Sequence, residues 1–260
     1  MKGSYVMVTS SEYALDYHKF FYSFKAYRVM LLNGKRVLIL GVSTGFGFAL
    51  GYLASKEGAS VILNSRNEIK LKDISSKVPN STYIAADVST YEGCKTLSER
   101  VGELDGVVIA VGGYVEDSIE NPSGLEEMLT NHVKVPINCM RALANNIRRG
   151  GSIVLVSSMR GLFTSEDAMS YSVAMAGTAK LVEKAASEFL IRGVRVNGVA
   201  PSWIDGDFVP NRDYRKLRNL GDPKAPPEDF AKVTIWLLSE DSEWVNGVVV
   251  PLDGGNRLKS

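Results

Sequence analysis

From residue 36 onward, short apolar runs alternate with longer stretches in which apolar positions recur every three or four residues. The runs at 36–40, 60–64, 82–86, 106–111, 151–157, 194–199 and 247–251 predict strands. Their near-continuous Val, Ile and Leu content suits strands covered on both faces. The stretches near 46–57, 91–102, 124–147, 170–191 and 227–238 predict helices. Gly58 and Gly193 fall where helices end and strands begin. Such alternation implies right-handed crossovers and an α/β chain with one doubly wound parallel sheet of about seven strands.

The first run leads into Gly41-Val42-Ser43-Thr44-Gly45-Phe46-Gly47, and a helix-like stretch follows directly. Gly41 permits a tight turn, Gly45 lets backbone approach a ligand, and Gly47 lets the helix pack closely on the strand. The N–H groups and positive dipole end of that helix favour a pyrophosphate. Strand, glycine spacing and helix together predict a Rossmann-like dinucleotide site. A bare strand-to-helix turn is the plainer alternative.

Residues 1–33 differ in character. Tyr5, Tyr13, Tyr17, Phe20, Phe21, Tyr22, Phe24 and Tyr27 crowd together, interrupted by His18, Lys19, Lys25 and Arg28. This aromatic-rich extension is either a helix that docks on the body or on a partner subunit, or an upstream artefact with Met30 as the natural start; the second is preferred. Residues 34–260 form the nucleotide-binding domain. The formal charge of +1 gives no sign of nucleic acid or of a membrane surface. Two cysteines, Cys94 and Cys139, make no disulfide framework or zinc spacing, which fits a reducing cytoplasm. Two histidines leave little for a metal site, and none is expected.

The second run exits at Ser65-Arg66, where an acidic residue would hold the ribose 2′-hydroxyl of NAD. A guanidinium there clamps a 2′-phosphate, so NADP(H) is the preferred cofactor and NAD(H) the second choice. A solvated surface arginine is the alternative. Asp87, at the next strand exit, either accepts from an adenine amino group or caps the following helix.

Further along come Ser157-Ser158 at a strand end, Tyr171 thirteen residues after Ser158, Asn131 inside a predicted long helix, Gly198-Val199-Ala200-Pro201-Ser202-Trp203 and Leu252-Asp253-Gly254-Gly255. With these, residues 33–257 resemble the short-chain dehydrogenase/reductase family, and in particular its 3-oxoacyl carrier-protein reductases. The resemblance implies hydride transfer between a nicotinamide and a small-molecule carbonyl substrate. Tyr171 would give the proton, Ser158 would stabilise the carbonyl oxygen, and Asn131 would hold a water in a proton relay. Cofactor contacts would come from Gly41, Ser43, Thr44, Gly45, Phe46, Gly47, Ser65, Arg66, Asp87, Val88, Val111, Gly112, Tyr171, Met175, Pro201 and Ile204. A homodimer or homotetramer is expected, with the long helices, including Leu181, Ala185 and Phe189, at the interface or else facing the sheet.

The chain departs from the family pattern where the chemistry is densest. The family carries a lysine four residues after the tyrosine, and this chain has Met175. Four residues is one helical turn, so both side chains share a face. Methionine brings no donor and no charge, so Tyr171 should move back toward the free value of about 10. Lys180 falls on the opposite helix face, and Lys134 is a remote substitute. Ile109-Ala110-Val111-Gly112 stands where the family has Asn-Asn-Ala-Gly after the fourth strand, Ser202 where it has a glycine, and Gly206 where it commonly has a threonine that binds the nicotinamide amide. Thr178 stands where the family's enoyl reductases carry their lysine. Either a reductase or a catalytically silent nucleotide-binding protein follows. Arg212, Arg215, Lys216 and Arg218 suit an anionic substrate or, more simply, a solvated helix face.

Overall fold

The computed structural model of the chain describes residues 30–163 and 167–259. Residues 1–29 of the aromatic extension therefore lie outside the described residues, and Met30, the expected alternative start, is the first within them. Seven parallel strands form one sheet in the order β3-β2-β1-β4-β5-β6-β9. They are β1 (Arg36–Leu40), β2 (Ser60–Ser65), β3 (Ser81–Ala85), β4 (Leu104–Ile109), β5 (Ile147–Val156), β6 (Arg195–Pro201) and β9 (Val249–Leu252). Two short strands, β7 (Trp203–Ile204) and β8 (Lys224–Ala225), pair separately.

Alternation along each strand feeds two cores. Val37, Ile39, Val61, Leu63 and Val108 face one layer, while Leu38, Leu40, Ile62, Val107 and Ile109 face the other. The first layer holds α1 (Phe46–Lys56), α2 (Glu68–Lys77) and α8 (Pro227–Leu238). The second holds α3 (Tyr91–Val101), α5 (Val135–Leu143) and α7 (Met169–Phe189). Helix α2 is absent from the expected set. Its sequence is largely polar, with Leu71 and Ile74 as its buried residues, and Asn67 starts it by accepting from the Lys70 N–H at 3.0 Å.

The stretch expected as one helix over 124–147 is three pieces: α4 (Leu125–Leu129), a π-helical turn at Thr130–Lys134, and α5. The cause is Pro136. Proline has no N–H to give the carbonyl four residues back. That carbonyl, of His132, instead accepts the Thr178 hydroxyl at 2.6 Å. Asn131 therefore sits in a π turn rather than inside a regular helix. The remainder of the expected 124–147 helix also runs too far: residues 147–156 belong to β5, which begins earlier than the apolar run suggests.

Cys94 on α3 and Cys139 on α5 are both fully buried, with their sulfurs 3.2 Å apart. Among the described residues, no helix is long and apolar enough to cross a membrane.

Candidate active site

The C-terminal ends of β1, β2, β3 and β4 open into a cavity of about 390 Å³. Its wall includes Gly41, Ser43, Ser65, Arg66, Asp87, Val88, Val111, Gly112 and Asn131. Gly41 has φ +84°, and a Cβ there would lie 2.5 Å from the Ala110 carbonyl oxygen, so no larger residue fits the turn. A Cβ on Gly47 would lie 2.7 Å from the Val42 Cα, which lets α1 start hard against β1. Gly45 is the N-cap residue of α1, and Thr44 reaches Asp207 at 2.5 Å. Thr44, Gly45 and Gly47 thus shape the turn without lining either cavity. Asp87 is not a helix cap, because Thr90 caps α3. Its carboxylate accepts the Ser89 N–H at 3.0 Å, and that bond holds its pKa below the usual range. Arg66 adds an attractive charge to Asp87.

Motif reading missed Asn64 in this cavity. It is 1 % exposed and donates to the Ile84 and Ala86 carbonyls, but its Oδ1 has no partner. An unpartnered buried acceptor is costly. The sequence signal was a lone amide ending the Val-Ile-Leu run of β2. The orphaned acceptor, the glycine turn and the strand-exit Arg66 together fit a dinucleotide.

A second cavity of about 590 Å³ shares residues 110–113 with the first. Phe46, Tyr171, Met175, Pro201 and Ile204 line it. Tyr171 on α7 is held between two rings, Tyr114 at 5.2 Å and His132 at 5.3 Å between centroids, both edge-on. Burial pushes its pKa up, opposed by a hydrogen bond with Ser158 and by the charge of Arg160. The balance goes further than expected, above the ordinary tyrosine value rather than back to it.

Ser158 is buried beside Tyr171 and does not line the cavity. It is also a turn former: its Oγ accepts the Arg160 N–H at 3.3 Å and caps α6 (Met159–Leu162). Gly161 lets α6 rest on α7, since a Cβ there would lie 2.5 Å from the Met175 carbonyl carbon. Neighbouring Ser157 donates to the Met175 carbonyl at 2.9 Å. Met175 itself is 2 % exposed.

Asn131 donates to the Gly112 carbonyl at 3.2 Å, and the His132 Nε2 meets the Gly113 carbonyl at 3.1 Å. The π turn thereby ties α5 to the loop after β4. Burial pushes the His132 pKa down. Lys134 pairs with Glu126 at 3.0 Å and Lys180 with Glu183 at 2.6 Å, so neither serves Tyr171. Three of the four basic residues singled out between 211 and 219 are paired. Arg212 grips Glu228 through two bonds of 2.6 and 2.7 Å, Arg218 pairs with Asp229 at 2.6 Å, and Lys216 with Asp213 at 3.2 Å. Arg215 is exposed, and none of the four lines either cavity. Sequence reading also missed Tyr114, Arg160 and Asp167, which gather on the wall of the second cavity. No motif spacing links them.

Residues 41–257 match the family model described as enoyl-(acyl carrier protein) reductase. The chain is similar to a 2,5-dichloro-2,5-cyclohexadiene-1,4-diol dehydrogenase of Sphingobium indicum, at 30% identity over 86% of this chain and 96% of that protein. It is 29% identical to an A-factor type gamma-butyrolactone 1'-reductase of Streptomyces virginiae, over 86% of this chain and 96% of the relative. It is 27% identical to a 3-oxoacyl-[acyl-carrier-protein] reductase of Rickettsia prowazekii, over 86% and 97%. In fold it is similar to a dehydrogenase/reductase from Sinorhizobium meliloti, with TM-score 0.77, 24% identity and coverage of 87% and 96%. A match across most of the chain, together with relatives of nearly equal extent, makes this protein a member of the short-chain dehydrogenase/reductase family.

Proposed function

We propose that the protein is an NADPH-dependent reductase of a small ketone or 3-oxoacyl substrate, with Tyr171 as proton donor and Ser158 as the group that steadies the carbonyl oxygen. One observation carries the reading: Tyr171, whose pKa burial pushes up, lies on the wall of a cavity that shares residues 110–113 with the nucleotide cradle. Reduction needs the protonated phenol and oxidation needs the phenolate, so the site favours reduction. Two of the relatives named above are reductases. BdcA, solved in complex with NADPH, shares the fold at TM-score 0.75.

The cofactor, when bound, supplies the hydride for the carbonyl carbon. Arg66 and Ser65 would hold the 2′-phosphate, and Asp87 and Asn64 the adenosine end. Phe46, Val111, Gly112, Met175, Pro201 and Ile204 would exclude water around the reacting carbon. Tyr171 passes its phenolic proton to the substrate oxygen as negative charge grows there, and the Ser158 hydroxyl, which now reaches the Pro201 carbonyl at 3.5 Å from behind the cavity wall, would turn to donate to the same oxygen. Asn131, in the π turn, holds the Gly112 carbonyl and leaves the loop after β4 fixed against the cavity.

A second reading, a silent nucleotide-binding protein, is favoured by Met175, whose side chain brings no polar atom to the cavity. NADPH consumption against a panel of ketones, beside a direct NADPH titration, separates the two. Turnover supports the reductase. Tight binding without turnover supports the silent protein, and failure to bind NADPH overturns both.

A homodimer or homotetramer accompanies this reading. A groove of about 400 Å³ runs between α5 and α7, with Ile137, Leu181 and Phe189 on its wall. Ala185, at 5 % exposure, packs into the core and also lines the floor of this groove. A monomer by light scattering at micromolar concentration overturns the pairing.

A further inference from the structure

We propose that Arg160 is a positioning residue for Tyr171, supplying the positive charge against which the phenol works, and that Asp167 sets how much of that charge Tyr171 feels. The inference rests on the reading of Tyr171 as proton donor.

Among the described residues, Arg160 is the one Lys or Arg on the wall of the second cavity. Its place is fixed at both ends. Its backbone N–H is held by Ser158, and its guanidinium grips Asp167 through bonds of 3.0 and 2.7 Å. The guanidinium carbon lies 5.5 Å from the Tyr114 ring centroid. The Tyr114 hydroxyl donates to Asp167 at 3.2 Å, and the same ring stands edge-on against Tyr171. Arg160, Asp167 and Tyr114 therefore brace one another on one side of Tyr171. A two-bond guanidinium–carboxylate pair holds its geometry better than a single contact.

The other groups facing Tyr171 offer no rival cation. His132 is buried, and burial disfavours its charged form, although Glu127 acts in the opposite sense. Glu116 on the cavity wall is acidic. Met175, one turn along α7, is uncharged. The charge of Arg160 acts to lower the Tyr171 pKa against the larger effect of burial. Asp167 partly cancels that charge, so the two residues should act on Tyr171 with opposite sign.

The opposite signs make the test. Tyrosinate absorbance of the full chain is titrated in Arg160→Met, Arg160→Lys and Asp167→Asn, each minus its Tyr171→Phe counterpart. The expected result is an upward shift of the Tyr171 titration in Arg160→Met, recovery in Arg160→Lys, and a downward shift in Asp167→Asn. The alkaline limb of NADPH-dependent ketone reduction, where Tyr171 loses its proton, should move with it. If Arg160→Met does not fold, the Asp167→Asn shift decides. Titrations that stay put, or that move the same way in both neutralising variants, overturn the proposal. Shifts of the expected sign without turnover on any ketone leave Arg160 coupled to Tyr171 and overturn the proton-donor reading instead.

Discussion

The two cavities along the C-terminal edge of the sheet are built in different ways. The one at the ends of β2 and β3 is mostly main chain, glycine and the first residue or two past each strand: Gly41, Ser65-Arg66, Asp87-Val88. The one beside Tyr171 is side chains converging from the loop after β4, the π turn, α6, α7 and the segment after β6. A cradle of main chain depends on turns, and few residue types satisfy it. A site of converging side chains depends on charge and packing, and one substitution such as Met175 changes its chemistry while leaving its shape. The first kind of site binds, and the second decides what happens to whatever is bound.

The sharpest way to break this contrast is Tyr171→Phe. Loss of a positioned acid should lower ketone reduction by roughly 10²–10⁴-fold, while NADPH affinity by direct titration stays within about twofold because the other cavity is untouched. A parallel loss of binding would erase the distinction. Next, Gly41→Ala should destabilise the fold by roughly 2–4 kcal/mol in urea unfolding, since the new Cβ meets backbone at a strained φ. Gly206→Ala, at φ +70° with nothing within 4 Å, should cost only about 1 kcal/mol. Equal costs would mean that the cradle turn is not sterically defined.

Arg66→Ala should weaken NADPH by roughly 1.5–3 kcal/mol, the scale of charged hydrogen bonds, and leave NADH nearly unchanged. Comparable losses for both cofactors would rule out a phosphate clamp. Met175→Lys should raise alcohol oxidation more than ketone reduction, because only oxidation depends on forming the phenolate. Steady-state rates in both directions check it, and a gain confined to reduction contradicts it. The smallest effect concerns His132. Burial lowers its folded pKa below 6.5, so the unfolded chain binds the proton more readily. Stability should therefore fall as pH drops below about 6.5 and on toward the lower folded value. Urea midpoints for His132→Gln should show a shallower acid decline than the parent; an identical decline would place the proton elsewhere.

The same contrast explains what the sequence disclosed. The seven sheet strands, the glycine turn, Arg66 and the Ser158–Tyr171 spacing are local signals, each a run or a fixed interval. Helix α2 escaped because its packing uses Leu71 and Ile74 on an otherwise polar stretch. The break in the helix after residue 124 was written in Pro136, but its outcome depended on Thr178, forty-two residues later. Asn64 read as a strand end, and only the fold shows it buried on the cradle wall with an unpartnered acceptor. Arg160 and Asp167 belong to no interval, and only the packing of α6 on α7 brings them to Tyr171.

The two thiols buried between α3 and α5 make the protein its own stopwatch. Cys94 and Cys139 touch each other and no solvent, so a thiol reagent reaches either one only after these helices part. The rate of labelling, measured against reagent concentration, would time the opening of the layer that carries Asn131. Comparing that rate with and without nucleotide would show whether filling the cradle, whose wall includes Val88 and Asn131, tightens the helical layer behind it.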